Sequence, residues 1–137
     1  MEDTSRGGLA PSLDDIGAIA RESFAALPAT FRRLAGPIQF RVSEFPDEDV
    51  LADLGVESEF DILGLFQGVG LAQGSAVEQT GQLPNMIWLY RRPILDYWAE
   101  HEETLGHIVS HVLIHEIGHH FGLSDGDMEA IEAQAGD

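Results

Sequence analysis

A chain of 137 residues with 44% hydrophobic content is long enough for one domain with a genuine core and too short for two. No apolar run approaches the length of a membrane span, and the absence of cysteine excludes disulfides and thiolate metal sites, leaving nitrogen and oxygen donors for any metal. Twenty-four acids against seven arginines give a formal charge of −17, which repels phosphate backbones and anionic lipid and so argues against nucleic-acid and membrane partners.

Residues 1–11 carry two acids, glycines and small polar groups but no apolar signal core, so a flexible tail and a cytoplasmic location are expected, with residues 12–137 forming a single domain. Ser12, followed three residues later by Asp15, reads as a helix N-cap. Ile16, Ile19, Ala20, Phe24 and Leu27 then keep helical spacing up to Pro28. Gly36-Pro37 breaks the chain. Ile38, Phe40 and Val42 alternate with polar residues and predict a half-buried strand. A short helix is expected over about 47–54, and a second strand over about 62–67. Residues 68–83, with four glycines, read as a long loop or hairpin. Residues 86–90 predict another strand, closed by Arg91-Arg92-Pro93, and 94–98 a turn or short helix. A long helix over about 102–121 and a short one over about 127–135 complete the chain. Helices at both ends around a few strands indicate an α+β fold.

All six histidines fall between positions 101 and 120. Within that window His115-Glu116-Ile117-Gly118-His119-His120-Phe121-Gly122-Leu123-Ser124-Asp125 spells HExxHxxGxxD. Two histidines four apart on a helix differ by about 40° in direction and about 6 Å along the axis. Both imidazoles can therefore reach one ion at the roughly 2.0–2.1 Å of zinc–nitrogen bonds. Glu116 is poorly placed to join them as a ligand but well placed to act on a water beside the ion. Leu105, Ile108, Val109, Val112, Leu113 and Ile117 form the apolar stripe of a core helix, and Glu116 falls inside it. A buried carboxylate without a partner is costly, so the position itself points to a use.

Gly122 suits the left-handed residue that ends a helix, after which the chain can turn Asp125 back towards the same ion as a third ligand. Asp125 can equally serve as a turn or capping residue for the last helix, with Asp127 and Glu129 as substitutes at the metal. His111 and His107 continue the ladder; His111 could border the pocket or aid oxyanion stabilisation, but both are expected to be partly exposed, turned away by the ladder's drift. His120 points about 100° from His119 and is not expected to share its ion. Tyr90, Tyr97, Arg91 and Arg92 are possible transition-state donors that no spacing singles out.

The HEIGHHFGLSD block, the segment Leu83-Pro84-Asn85-Met86-Ile87-Trp88-Leu89-Tyr90-Arg91-Arg92-Pro93-Ile94-Leu95 and the segment Ile62-Leu63-Gly64-Leu65-Phe66-Gln67-Gly68-Val69 together resemble the family of small, stand-alone bacterial zincin-like metallopeptidases. The resemblance covers about residues 13–132. It implies a minimal zincin-like domain, with a small mixed sheet packed on a long active-site helix and flanking helices. It further implies Zn2+ held by His115, His119 and Asp125, with Glu116 as general base. The implied substrate is a peptide or protein, laid along the edge strand at 62–67. The alternative expectation is a zinc-stabilised binding or regulatory module that keeps the metal without turnover.

Overall fold

The structure, a computed structural model, describes residues 9–68 and 85–135. Most of the expected tail and nearly all of the expected loop at 68–83 lie outside these residues. The described chain has six helices and three strands, in the order α1 (Leu13–Ala25), α2 (Ala29–Ala35), β1 (Ile38–Ser43), α3 (Glu48–Leu54), β2 (Gly64–Gln67), β3 (Asn85–Tyr90), α4 (Arg91–Glu100), α5 (Leu105–His120) and α6 (Asp125–Ala135). A 3-10 turn, Glu59–Asp61, leads into β2. This is the α+β domain expected, with a small mixed sheet beside a long helix. Among the described residues no helix is long and apolar enough to cross a membrane.

Local chemistry accounts for most of the boundaries. Ser12 and Asp15 form a reciprocal capping box: the Asp15 amide donates to Ser12 Oγ at 3.1 Å, and the Ser12 amide to the Asp15 carboxylate at 2.8 Å. Asp47 caps α3 by accepting from the Val50 amide. Two helices differ from expectation. After Pro28 the chain starts α2 rather than running as a connection, because a proline before the first turn forfeits no helical hydrogen bond and Phe31 and Ala35 find buried positions. Likewise Pro93 does not close β3. It sits in the first turn of α4, where an amide has no partner to lose, and the helix runs ten residues.

The sheet order is β1-β3-β2, with β1 parallel and β2 antiparallel to β3. Ile87 and Leu89 of the central strand have no exposed surface. Each such side chain contributes about 1.5–3 kcal/mol on burial. Helix α5 lies across this layer, burying Leu105, Ile108, Val109, Val112, Leu113, Ile114, Ile117 and Gly118. Ile114 widens the apolar stripe because α5 is covered on several sides, by β2, α1, α4 and α6.

Helix α6 packs on α5 through a glycine. A Cβ at position 118 would stand 2.5 Å from the sulfur and 2.9 Å from Cγ of Met128, which is fully buried. The Met128 side chain thus fills the space that Gly118 leaves. Gly118→Ala gains about 1 kcal/mol of helix propensity but overpacks by about 1–3 kcal/mol. A net loss of about 1 kcal/mol is expected in urea unfolding, with an unchanged slope against denaturant.

Candidate metal centre

Thr104 starts α5 by accepting from the His107 amide at 3.1 Å. The helix ends after His120 in a Schellman motif: the Leu123 amide donates to the Gly118 carbonyl at 2.9 Å and the Gly122 amide to the His119 carbonyl at 3.2 Å. Gly122, at φ +79°, takes the left-handed conformation this reversal needs. Ser124 then caps α6, accepting from the Asp127 amide while its own amide donates to the Asp127 carboxylate. The cap is therefore Ser124, and Asp125 is the first residue of the helix, exposed to solvent. Of the substitutes for it, Asp127 already spends a carboxylate oxygen on the cap.

The chain reverses tightly, so α6 runs back along α5. Met128 meets Gly118, and one turn later Glu132 meets His115 and His111. Along α5 the histidines at 111, 115 and 119 form a ladder. The rings of His115 and His119 are 5.8 Å apart, nearly perpendicular, and those of His111 and His115 are stacked at 4.1 Å. Nε2 of His115 lies 3.0 Å, and Nδ1 of His111 2.6 Å, from the same oxygen of Glu132.

Glu116 is partly buried, and its carboxyl is pushed above the ordinary glutamate value of 4.5. Burial is the main cause, opposed in turn by His119, by the Phe66 backbone amide that hydrogen-bonds the carboxylate, and by His115. Glu116 is therefore held between the two histidines of the motif on one side and strand β2 on the other. Among the described residues β2 pairs only with β3 and is an edge of the sheet. A cavity of about 380 Å³ opens here, walled by Leu63, Gly64, Tyr97 and Val112, with His115 and Glu116 in its lining.

The remaining sequence candidates fall on the flanks. Tyr90 is buried at the end of β3, and its phenol is pushed up to about 12 by burial and by the charges of Asp47 and Glu116, so it stays a neutral O–H. Tyr97 stacks on His101 at 3.7 Å and lines the cavity. Arg91 is occupied elsewhere: Nε donates to the Pro11 carbonyl and Nη1 pairs with Glu44 at 2.9 Å. Arg92 lies over the Phe45 ring.

A family model described as zincin-like metallopeptidase matches residues 36–135, from just before β1 to the end of α6. The chain belongs to the zincin-like metallopeptidases. A comparison with curated proteins finds no match. Membership of this family implies a metal, typically zinc, and the donor chemistry of the zincin-like chain fits one. Imidazoles and carboxylates are the donors available, as catalytic zinc sites use. Two imidazoles on one tetrahedral zinc have ring centres about 5 Å apart, close to the separation of His115 and His119. The HExxH residues His115, Glu116 and His119 thus stand beside one another.

Sequence reasoning missed Glu132 and discounted His111. Among the described residues, the group of three metal-capable side chains whose ligand atoms lie within 4.8 Å of one another is His111, His115 and Glu132, without His119 or Asp125. Drift along the ladder does not turn His111 away, because 40° per step leaves it as near to His115 as His119 is, on the other side. A signal for Glu132 was present. It stands seven residues after Asp125, about 20° short of two full turns, and so shares its face of α6.

Proposed function

We propose that this zincin-like protein is a zinc-dependent peptidase that hydrolyses amide bonds of an extended peptide, with His115, His119 and Asp125 holding the ion and Glu116 as general base. The observation that carries this reading is Glu116 itself, a partly buried carboxylate set between two ligand-spaced histidines and anchored by the Phe66 amide. Zinc, when bound, supplies Lewis acidity, polarising a carbonyl and lowering the pKa of water from about 15.7 towards about 7. Glu116 accepts the proton of the attacking water and returns it to the departing amine. Its raised pKa makes the carboxylate a stronger base towards the water and brings it nearer the pH at which it works, so that it can both take the proton and pass it on. Phe66 fixes the carboxylate's direction. Strand β2, which among the described residues pairs only with β3, offers backbone groups to a substrate strand, and the neighbouring cavity takes one of its side chains. The turn through Gly122 returns the chain to the end of α5, which supports Asp125 as the third ligand.

Removal of the metal by a chelator is expected to abolish cleavage of a peptide library, and one equivalent of zinc to restore it. Mass spectrometry of the digests measures both. A folded, zinc-replete protein that cleaves no peptide in a broad library overturns the reading in favour of a zinc-holding binding module.

A further inference from the structure

We infer that His111, His115 and Glu132 form a second station for a divalent transition-metal ion, one helical turn from the His115–His119 pair and independent of His119. Nδ1 of His111 and Nε2 of His115 both face one oxygen of Glu132, at 2.6 and 3.0 Å, and all three ligand atoms lie within 4.8 Å of one another. Ligand atoms on a tetrahedral zinc are about 3.3 Å apart, so a slight opening of this triangle admits the ion. The donor set, two imidazoles and a carboxylate, is one that zinc, cobalt and nickel favour over calcium or magnesium.

The arrangement follows from the helical repeat. His111-x3-His115 reproduces His115-x3-His119 one turn earlier on α5, and Glu132 lies two turns beyond Asp125 on the same face of the antiparallel α6. The station opens on a second cavity of about 710 Å³, whose lining includes Glu22, Glu102 and Glu103 besides His111 and Glu132. Such a field concentrates cations around the site. Binding there uses Nε2 of His115, so a filled second station withdraws that nitrogen from the His119 side.

The test is zinc and cobalt(II) binding by equilibrium dialysis with elemental analysis, together with cobalt absorption spectra. His119→Ala, at an exposed position, is expected to retain one tight equivalent. His119→Ala/Glu132→Gln and His119→Ala/His111→Ala are expected to bind at least tenfold more weakly and to lose the cobalt spectrum. Should His119→Ala lose its circular dichroism signal, His119→Gln takes its place in all three proteins. The inference is overturned if wild type binds one equivalent and the His119 variant none, or if adding Glu132→Gln leaves the affinity unchanged. Neither result touches peptide hydrolysis through Glu116. Conversely, a Glu132→Gln protein that is zinc-loaded yet inactive, with this station disabled, sinks that reading without overturning this one.

Discussion

Glu116→Gln is expected to lower peptide turnover by about 10²- to 10⁴-fold, the usual contribution of a positioned general base, while zinc content stays unchanged. Glutamine keeps the size of the side chain and can still accept the Phe66 amide hydrogen bond, but it cannot take a proton. KM should therefore move far less than kcat. The same substitution has the opposite sign for the metal-free fold. The carboxyl of Glu116 is raised above 4.5, chiefly by burial, so ionising it costs more in the folded chain than in the unfolded one. That cost is absent below the unfolded value and is felt in full once the pH has risen through the folded value. Thermal unfolding of the metal-free proteins at neutral pH should accordingly find the glutamine variant more stable, and the gap should close on acidification below pH 4.5. A single substitution that stabilises the empty protein while silencing the loaded one separates a functional carboxylate from a packing residue. If the variant is instead less stable at neutral pH, Glu116 is tied into the fold by its hydrogen bond and burial is not its dominant influence.

What the sequence made legible was local. The capping box at Ser12, the alternation of Ile38, Phe40 and Val42 and the reversal at Gly122 each depend on residues within five positions of one another, and each is found where its chemistry predicts. The HExxH segment belongs to the same class, since helix geometry alone sets how His115, Glu116 and His119 stand relative to each other. The misses have two sources. Pro28 and Pro93 were read as breaks, although proline is also a helix initiator, and only burial of Phe31 and Ile94 decides between the two uses. The other source is distance along the chain. That β2 lies at an edge beyond β3, that its Phe66 amide reaches Glu116, and that Glu132 comes back to His111 and His115 are consequences of packing between segments 17 to 50 residues apart. No local pattern encodes the register of α6 on α5. It is set by the fit of Met128 into the gap at Gly118, which in turn places Glu132.

A comparable fit joins α5 to β2, and breaking it should have the largest effect on stability among the substitutions considered. Gly64→Ala is expected to destabilise the protein by about 1–2 kcal/mol and to reduce activity beyond what the loss of folded protein explains. A Cβ at position 64 would stand 2.7 Å from Cγ1 of Val112, 3.0 Å from the backbone oxygen of Trp88 and 3.4 Å from Cδ2 of Leu89. The Leu89 contact can be absorbed. The Trp88 oxygen belongs to the neighbouring strand, in register opposite Leu65, and cannot move without disturbing the sheet. Relief must therefore come from α5. Overpacking of this kind costs about 1–3 kcal/mol, against about 0.5–1 kcal/mol returned by replacing glycine in a strand. Val112 is one turn before Glu116 on α5, so a helix pushed away at 112 also draws the Glu116 carboxylate from the Phe66 amide. A double-mutant cycle with Val112→Ala isolates the contact. Removing Cγ1 makes room for the new methyl, so Gly64→Ala should cost at least 1 kcal/mol less in that background than in wild type. An additive cycle would place the strain at Trp88 alone and would leave the distance between α5 and β2, and with it the setting of Glu116, independent of Gly64.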